Sequence, residues 1–325
     1  MTEPVLDIRN LSLSFTSRGL PVQALRNISF MVPHGEIVGI VGESGSGKST
    51  LSLAVMRLLA DNARIIEGQM FFGGQDLLKL SENSMRELRG SRIAMVFQDP
   101  MTSLNPVRSI GQQMLDIQHR DQSPTEDKRR KASDALTRVG IPDAIQQLDC
   151  YPFQFSGGMR QRIAIAMGLM QRPELLIADE VTTALDVTLE AQILHLLREI
   201  RDEIGCSIMF ISHNLGAVAE ICDRVVVLYA GEVVEQGPIG EIFDRPQHPY
   251  TRALIACDPA RIRQATRELP VIAGDVPNLR TPPDGCIFAP RCGQVFGRCK
   301  TARPTDITCG PHHTARCHLL ASLTS

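Results

Sequence analysis

The stretch Gly42-Glu-Ser-Gly-Ser-Gly-Lys-Ser-Thr50 follows an apolar segment, Ile37–Val41, and precedes a helix-like segment at residues 51–59. A strand, a glycine-rich loop and a helix in this order form the context of a phosphate-binding loop. The glycines let successive N–H groups converge on phosphate oxygens, and the helix N-terminus adds the positive end of its dipole. Lys48 is expected to reach the β- and γ-phosphates, and the Ser49 hydroxyl to bind Mg²⁺. The sequence therefore predicts a nucleoside triphosphate site built from Gly42, Glu43, Ser44, Gly45, Ser46, Gly47, Lys48, Ser49 and Thr50.

The composition argues against several other classes of protein. The chain has 325 residues and a formal net charge of −2, which gives no basic surface for nucleic acid or anionic membranes. No apolar run reaches the roughly 18 to 20 residues that span a bilayer. Residues 1–4 lack the basic and apolar regions of a secretory signal. We therefore expect a cytosolic protein that reaches a membrane only through a partner.

The hydrophobic pattern predicts an α/β fold. Short β-like segments at residues 5–9, 11–15, 28–32 and 37–41 precede a mostly helical region, residues 110–171. After this region strands alternate with helices, which indicates a central, mainly parallel sheet.

Two local signals refine this pattern. Ser123-Pro-Thr-Glu126 predicts a helix start with Ser123 as the cap, and Gly140 predicts its end. Prolines and glycines become frequent beyond about residue 258, where we place a domain boundary.

Two acids follow the apolar segment that begins at Leu175. A carboxylate at the tip of such a strand can hold Mg²⁺, and Asp179 fits this role. Glu180, the next residue, is placed to act as the general base that activates water. The phosphate-binding loop upstream favours this interpretation over a solvated loop.

Three further groups complete a hydrolytic set. Gln98 ends a β-like segment and can contact both Mg²⁺ and the attacking water, and His213 ends another and can contact the γ-phosphate. Ser156-Gly-Gly158 precedes a helix-like stretch and offers a hydroxyl, two unobstructed amides and a helix N-terminus to an anion. Gln98, Glu180 and His213 are therefore the candidate catalytic residues, and Ser49, Gln98 and Asp179 the candidate Mg²⁺ ligands.

At this point the chain resembles the nucleotide-binding subunits of ABC transporters, over residues 5 to about 257. The resemblance assigns roles to short motifs: Ser156-Gly157-Gly158 is similar to the signature motif, Gln98 to the Q-loop, His213 to the switch histidine, Ala184-Leu185-Asp186 to the D-loop, and Phe15 to the aromatic residue that stacks on adenine. It implies a P-loop ATPase domain at residues 1–257 with a mainly parallel core sheet, an antiparallel β subdomain and a helical subdomain at about residues 99–165. Residues 258–325 would form a C-terminal extension.

Within that family the chain most resembles the ATPase subunits of bacterial dipeptide and oligopeptide importers. Three stretches carry this resemblance: Phe97-Gln-Asp-Pro-Met-Thr-Ser-Leu-Asn-Pro106, Ser156-Gly-Gly-Met-Arg-Gln-Arg162 and His248-Pro-Tyr-Thr-Arg-Ala-Leu254. The chain departs from the usual pattern at three positions, where Phe155 replaces leucine, Val181 replaces proline and Asn214 replaces aspartate. None of these positions supplies a phosphate, magnesium or base group.

The resemblance also implies partners and a mechanism. Two such ATPase subunits clamp two ATP molecules head to tail, and each signature motif contacts the nucleotide held by the other subunit. The subfamily favours a paralogue as the second subunit, which gives a heterodimer, and a second copy of this chain is the alternative. The pair is bound to two membrane-spanning permease subunits at the cytoplasmic face of the inner membrane, supplied by a solute-binding protein. The helical region at about residues 99–155 would receive the permease.

The last 40 residues contain five of the nine cysteines, Cys286, Cys292, Cys299, Cys309 and Cys317. In a reducing cytosol such a cluster is more often a metal site than a disulfide framework, and four thiolates suit either a [4Fe–4S] cluster or Zn²⁺. In some peptide-importer ATPases a similar pattern holds a [4Fe–4S] cluster. By that resemblance the ligands are Cys286, Cys292, Cys299 and Cys317, with Cys309 as an alternate fourth ligand.

Other interpretations of the tail and of the function stay open. His312, His313 and His318 allow a mixed Cys/His zinc site, and free thiols are a third interpretation of the tail. The chain could serve an importer of another small solute, such as a nickel complex or an opine. It could instead be a soluble ABC ATPase of DNA repair or translation, or a redox or metal sensor with a vestigial ATPase.

Overall fold

The computed structural model describes residues 3–16, 21–99, 103–183, 185–258 and 270–321. The chain divides into two compact units, residues 1–80 with 210–325, and residues 81–209. Within the described ranges no helix is both long and apolar enough to cross a membrane.

The strands, in chain order, are β1 Leu6–Phe15, β2 Val22–Val32, β3 Ile37–Val41, β4 Ala63–Phe72, β5 Gln75–Asp76, β6 Ile93–Val96, β7 Leu175–Asp179, β8 Ser207–Ile211, β9 Arg224–Tyr229, β10 Glu232–Pro238, β11 Ile307–Gly310 and β12 His313–Ala315. The helices are α1 Lys48–Val55, α2 Glu82–Leu88, α3 Ile110–Ile117, α4 Thr125–Arg138, α5 Ala144–Gln147, α6 Gly157–Leu169, α7 Val187–Ile204, α8 Leu215–Ile221, α9 Ile239–Asp244, α10 Pro249–Ala256, α11 Gly297–Thr301 and α12 His318–Ala321.

An antiparallel sheet in the order β2-β1-β4-β5 forms part of the first unit. Strand β1 is continuous, whereas the sequence pattern predicted two separate segments there. Asn10 has a left-handed φ of +50°, and the register with β2 shifts between Ile8 and Leu11. The polar interruption that suggested two strands is therefore a β-bulge within one strand.

The first unit also holds most strands of a mixed sheet. Strand β3 is fully buried and pairs in parallel with β9, which pairs antiparallel with β10. The C-terminal extension then adds β12 and β11, because Glu235 and Gln236 of β10 pair with Ala315 and Thr314 of β12. The sequence pattern predicted none of these late strands. The tail of the chain therefore completes the sheet that carries the phosphate-binding loop.

The second unit combines a parallel strand pair with the predicted helices. Strands β6 and β7 pair in parallel, with Val96 opposite Ala178. Helices α3 to α6 confirm the mostly helical region. The predicted cap at Ser123 is wrong, since α4 begins at Thr125 and the Ser123 hydroxyl donates to Asp121 Oδ1 at 2.5 Å.

Candidate functional site

The loop between β3 and α1 adopts a shape that glycine permits. Gly42, Gly45 and Gly47 have φ values of +152°, +77° and +103°. A Cβ on Gly42 would lie 2.1 Å from Leu228 O, and one on Gly47 would lie 2.8 Å from Leu25 Cδ2. Around Gly45, by contrast, no described atom outside its two chain neighbours lies within 4 Å of the Cβ position. The loop is therefore packed at both ends and open at its middle.

Side chains of the loop fold back onto its own backbone. Lys48 is buried, and its Nζ donates to Gly42 O at 2.8 Å and Glu43 O at 3.1 Å. The Ser46 Oγ is buried, with no hydrogen-bond partner in the described part of the chain. A buried hydroxyl without a partner beside an open glycine loop fits a phosphate oxygen.

The acidic pair at the end of β7 lies beside Gln98. Because β6 and β7 are parallel, Gln98 and Glu180 each stand two residues beyond the paired positions Val96 and Ala178. Gln98 Nε2 donates to Glu180 Oε2 at 2.8 Å, and Thr183 Oγ1 donates to the same oxygen at 3.3 Å. Asp179 is only 5% exposed. The structure thus brings together three predicted residues of the second unit, Gln98, Asp179 and Glu180.

The Ser156-Gly157-Gly158 motif begins helix α6. Ser156 is the N-cap, and its hydroxyl accepts from Met159 N at 3.3 Å. Gly157 is exposed and has no described atom within 4 Å of its Cβ position, whereas a Cβ on Gly158 would lie 2.8 Å from Leu189 Cδ1. Phe155 is buried, so the departure from leucine keeps an apolar anchor. The motif presents an open helix end to solvent.

The remaining predicted residues of the nucleotide site lie in the first unit. His213 is exposed and follows β8, and Phe15 is half-buried at the end of β1. The Asn214 Oδ1 accepts from Gly216 N at 2.9 Å and from Ala217 N at 3.3 Å, so this residue caps α8 as aspartate would. Of the predicted D-loop, Ala184 lies outside the described residues, as do residues 100–102 of the stretch after Gln98.

The four cysteines assigned by resemblance line one small cavity, Cys286, Cys292, Cys299 and Cys317. His248 and His318 line it too. The pKa of the Cys286 thiol is raised to about 11, mainly by burial and to a smaller extent by the neighbouring thiols of Cys299 and Cys317. The thiols therefore lie close enough to interact electrostatically.

The other candidates from the tail have different partners. The Cys309 thiol donates to Ile307 O at 3.4 Å, and His313 Nε2 pairs with Glu235 Oε1 at 2.8 Å. Exposed His312 uses its carbonyl to accept from Arg224. Across the described residues no three His, Cys, Asp or Glu side chains are arranged to bind a metal ion. The four thiols thus line the same cavity, but they are not arranged as the ligands of a metal ion.

The sequence assigned no role to Arg291. Its guanidinium makes two hydrogen bonds to the Glu43 carboxylate in the phosphate-binding loop. In the sequence, the Ala289-Pro-Arg-Cys292 stretch indicates a metal-binding role for its cysteine alone. Nothing local in it indicates a partner almost 250 positions earlier in the chain.

Comparisons with known proteins show which families and folds this chain is similar to. A family profile described as ABC transporter matches residues 25–183, and one described as oligopeptide/dipeptide transporter, C-terminal region, matches residues 234–299. Among solved structures, the ATP-binding cassette MJ0796, in a dimeric state bound to ADP and phosphate, aligns with a TM-score of 0.65 at 26% identity, covering 72% of this chain and 98% of that one. CbiO1 from Clostridium perfringens aligns with a TM-score of 0.65 at 30% identity, covering 75% and 92%.

Relatives in three bacteria are similar over almost their whole length. A probable peptide ABC transporter ATP-binding protein, y4tR, from Sinorhizobium fredii is 48% identical, covering 96% of this chain and 94% of the relative. The probable D,D-dipeptide transport ATP-binding protein DdpD of Escherichia coli is 46% identical, covering 96% and 95%. The dipeptide transport ATP-binding protein DppD of Bacillus subtilis is 46% identical, covering 98% and 95%. This chain therefore belongs to the family of ATP-binding subunits of peptide and dipeptide ABC importers.

Proposed function

We propose that this chain hydrolyses ATP to drive the uptake of dipeptides or oligopeptides across the cytoplasmic membrane. The observation that carries the proposal is the similarity to peptide-transport ATPases over both the ATPase region and the C-terminal region. The chain would work at the cytoplasmic face of the membrane, bound to two permease subunits that receive solute from a binding protein. About residues 99–155 would contact the permeases.

The phosphate-binding loop would hold the triphosphate. On ATP binding, Lys48 Nζ would exchange its contacts with Gly42 O and Glu43 O for the β- and γ-phosphates. The unpartnered Ser46 Oγ and the open backbone at Gly45 support this assignment. Ser49, Gln98 and Asp179 would hold Mg²⁺ through the oxygen ligands that this ion prefers, and the ion would neutralise charge on the phosphates. Phe15 would stack on the adenine.

Glu180 would take the proton from the attacking water. Its carboxylate already accepts from Gln98 and Thr183, which fix its orientation. His213 would contact the γ-phosphate and stabilise the negative charge on it.

The Ser156-Gly157-Gly158 motif, which is exposed at Ser156 and Gly157, would complete the site of a second ATPase subunit, with Leu185 and Asp186 at the same interface. We propose a paralogue as that subunit, giving a heterodimer. Because ATP would contact both subunits only in the closed pair, it would bind that state more tightly and so drive closure. Hydrolysis would remove these contacts and let the pair reopen.

We also propose that Cys286, Cys292, Cys299 and Cys317 bind a [4Fe–4S] cluster, with Zn²⁺ as the alternative. The shared cavity and the absence of carboxylates among its described lining residues support a thiolate site. Its role would be structural, bracing the extension.

Anaerobic purification tests the metal centre. A brown protein with an absorption band at about 400 nm would support the cluster. Stoichiometric zinc without that band would show that the site binds Zn²⁺ instead. Cys292→Ala should remove the metal, whereas Cys309→Ala, whose thiol donates to Ile307 O, should retain it.

Reconstitution of the complete transporter tests the function. The chain should co-purify with two permeases and a second ATPase, and peptide-loaded binding protein should stimulate ATP hydrolysis in proteoliposomes. Lys48→Ala should abolish that stimulation. Stimulation by a nickel complex or an opine but not by peptides would reassign the solute, and no association with permeases would favour a soluble ATPase.

A further inference from the structure

Glu43 of the phosphate-binding loop forms an ion pair with Arg291 of the C-terminal extension. We propose that Arg291 of the extension is a positioning residue for the ATP site, holding the loop through the Glu43 carboxylate. The proposal rests on the ATPase function above and adds to it a residue outside the ATPase motifs.

The ion pair between these residues is bidentate, and it joins a buried arginine to a partly buried carboxylate. Arg291 Nη1 donates to Glu43 Oε2 at 2.7 Å, and Nη2 donates to Glu43 Oε1 at 3.1 Å. The Arg291 side chain is 4% exposed and the Glu43 side chain 29%. Two parallel hydrogen bonds to a carboxylate fix its orientation as well as its charge. Such a pair is stronger and less screened than an exposed one.

Arg291 is itself anchored to other parts of the same unit. Its Nη2 donates to Ile272 O at 2.7 Å and its Nε to Ala273 O at 3.1 Å. Its Nη1 also reaches the Tyr229 hydroxyl at 3.4 Å. The guanidinium is therefore held in place by groups other than Glu43, and it can act as an anchor for the loop.

The backbone of Glu43 is held separately. The hydroxyl of the fully buried Tyr250 accepts from Glu43 N at 3.0 Å, and Glu43 O accepts from Ser46 N and Lys48 Nζ, both at 3.1 Å. The orientation of the Glu43 carbonyl thus helps to orient the two loop groups that donate to it, Ser46 N and Lys48 Nζ. Both residues are assigned to the phosphates.

The extension reaches this point by packing on the same tyrosines. The Phe288 ring lies 5.1 Å from that of Tyr229 and 5.4 Å from that of Tyr250, and Phe288 is 2% exposed. Aromatic packing of this kind holds the segment that carries Arg291.

Charge gives Arg291 a second effect on nucleotide binding. Glu43 places a negative charge in a loop that must accept a triphosphate, and Arg291 neutralises it. Without Arg291, an unpaired carboxylate would both repel the phosphates and be free to rotate. Loss of the Arg291–Glu43 pair should therefore reduce ATP affinity more than it reduces the stability of the chain.

The test compares two buried arginines of the extension. Arg316 is 7% exposed and forms a similar bidentate pair with Asp306, at 2.8 and 3.0 Å. In the full-length chain, Arg291→Ala should weaken binding of a fluorescent ATP analogue at least tenfold, whereas Arg316→Ala should leave it within twofold. Both substitutions should lower the thermal midpoint. In the assembled complex Arg291→Ala should raise KM far more than it lowers kcat.

Two further variants keep the inference testable if Arg291→Ala folds poorly. Arg291→Lys keeps the positive charge but cannot form the bidentate hydrogen bonds, so its ATP affinity should fall between those of wild type and Arg291→Ala. Adding Glu43→Ala to Arg291→Ala should recover part of the affinity, because the unpaired carboxylate is gone. Equal affinities for the Arg291 and Arg316 variants would overturn the inference. If Lys48→Ala also binds normally, the ATP site itself is misassigned.

Discussion

Glu180 has a backbone conformation that side-chain-bearing residues seldom adopt. Its φ is +50°, in the left-handed region that favours glycine and asparagine. Such a conformation costs on the order of 1 kcal/mol and persists where the surroundings require it, most often at functional sites. Gln98 and Thr183 donate hydrogen bonds to its carboxylate. The strain is therefore used to aim this carboxylate.

We expect Glu180→Gln to abolish hydrolysis while preserving ATP binding. An amide cannot accept a proton from water, and loss of a general base lowers turnover by roughly 10²- to 10⁴-fold. Glutamine fits the same space and can still accept from Gln98. ATP turnover and ATP retention by the assembled transporter check this, with retention expected because closed dimers accumulate.

Glu199→Gln on α7 is a matched control, because Glu199 is 62% exposed and pairs with His195. It should hydrolyse ATP at the wild-type rate. Wild-type turnover by the Glu180 variant would remove Glu180 from the role of base.

At the scale of single elements, substitutions at the start of α6 can distinguish effects on stability from effects on ATP turnover. Gly157→Ala adds a methyl group in open space at the first helical position, so the thermal midpoint should stay within about 2 °C of wild type. If a second subunit's ATP binds there, the same methyl group should lower turnover of the complex at least tenfold. Thermal unfolding and ATPase assays on one preparation measure both.

Gly158→Ala is the counterpart on the buried side of the helix. Its Cβ would press on Leu189 of α7, so the substitution should destabilise the fold by about 1 to 3 kcal/mol. If Gly157→Ala has full activity, the exposed end of α6 does not contact nucleotide.

Helix α10 begins at a buried histidine, and this makes its stability depend on pH. His248 Nδ1 accepts from Tyr250 N at 3.0 Å, and burial lowers the pKa of His248 to about 4 despite the nearby Glu235 carboxylate. The unfolded chain binds this proton near pH 6.5, so stability is present above that pH and is lost as pH falls toward 4. The loss should be about 3 kcal/mol.

His248→Asn should flatten this acid dependence. Asparagine is a good N-cap but does not titrate, so the amide of Tyr250 keeps an acceptor. Urea unfolding at pH 7, 6, 5 and 4 compares the two proteins. Parallel stability curves for wild type and variant would show that His248 is not the titrating group.

The sequence predicts local secondary structure better than it predicts which distant segments pair with each other. The parallel strands β6 and β7 are short apolar runs, and parallel pairing then puts Gln98 beside Glu180, so this half of the site was predictable. Strands β11 and β12 are short and partly polar, and β12 pairs with residues some 80 positions earlier. The Arg291–Glu43 pair spans 248 positions. No local periodicity encodes such contacts.

For the whole molecule, the extension belongs to the same compact unit as the phosphate-binding loop, residues 1–80 with 210–325. Strand β12 covers the edge of β10, and His313 pairs with the buried Glu235 carboxylate. Removing the extension would expose that edge and leave a buried carboxylate without this partner. The domain boundary near residue 258 stays a prediction. The β10–β12 pairing and the His313–Glu235 pair join residues on its two sides.

A chain that ends at residue 257 should therefore lose both stability and ATP affinity. We expect aggregation on size-exclusion chromatography and a thermal midpoint at least 10 °C below that of the full chain, since a strand pairing and a buried ion pair are lost together. Arg291→Ala in the full chain separates the two effects, because it should reproduce the loss of ATP affinity with a much smaller change in midpoint. A truncated chain that stays monomeric, melts at the full-length temperature and binds ATP normally would make the extension a separate appendage.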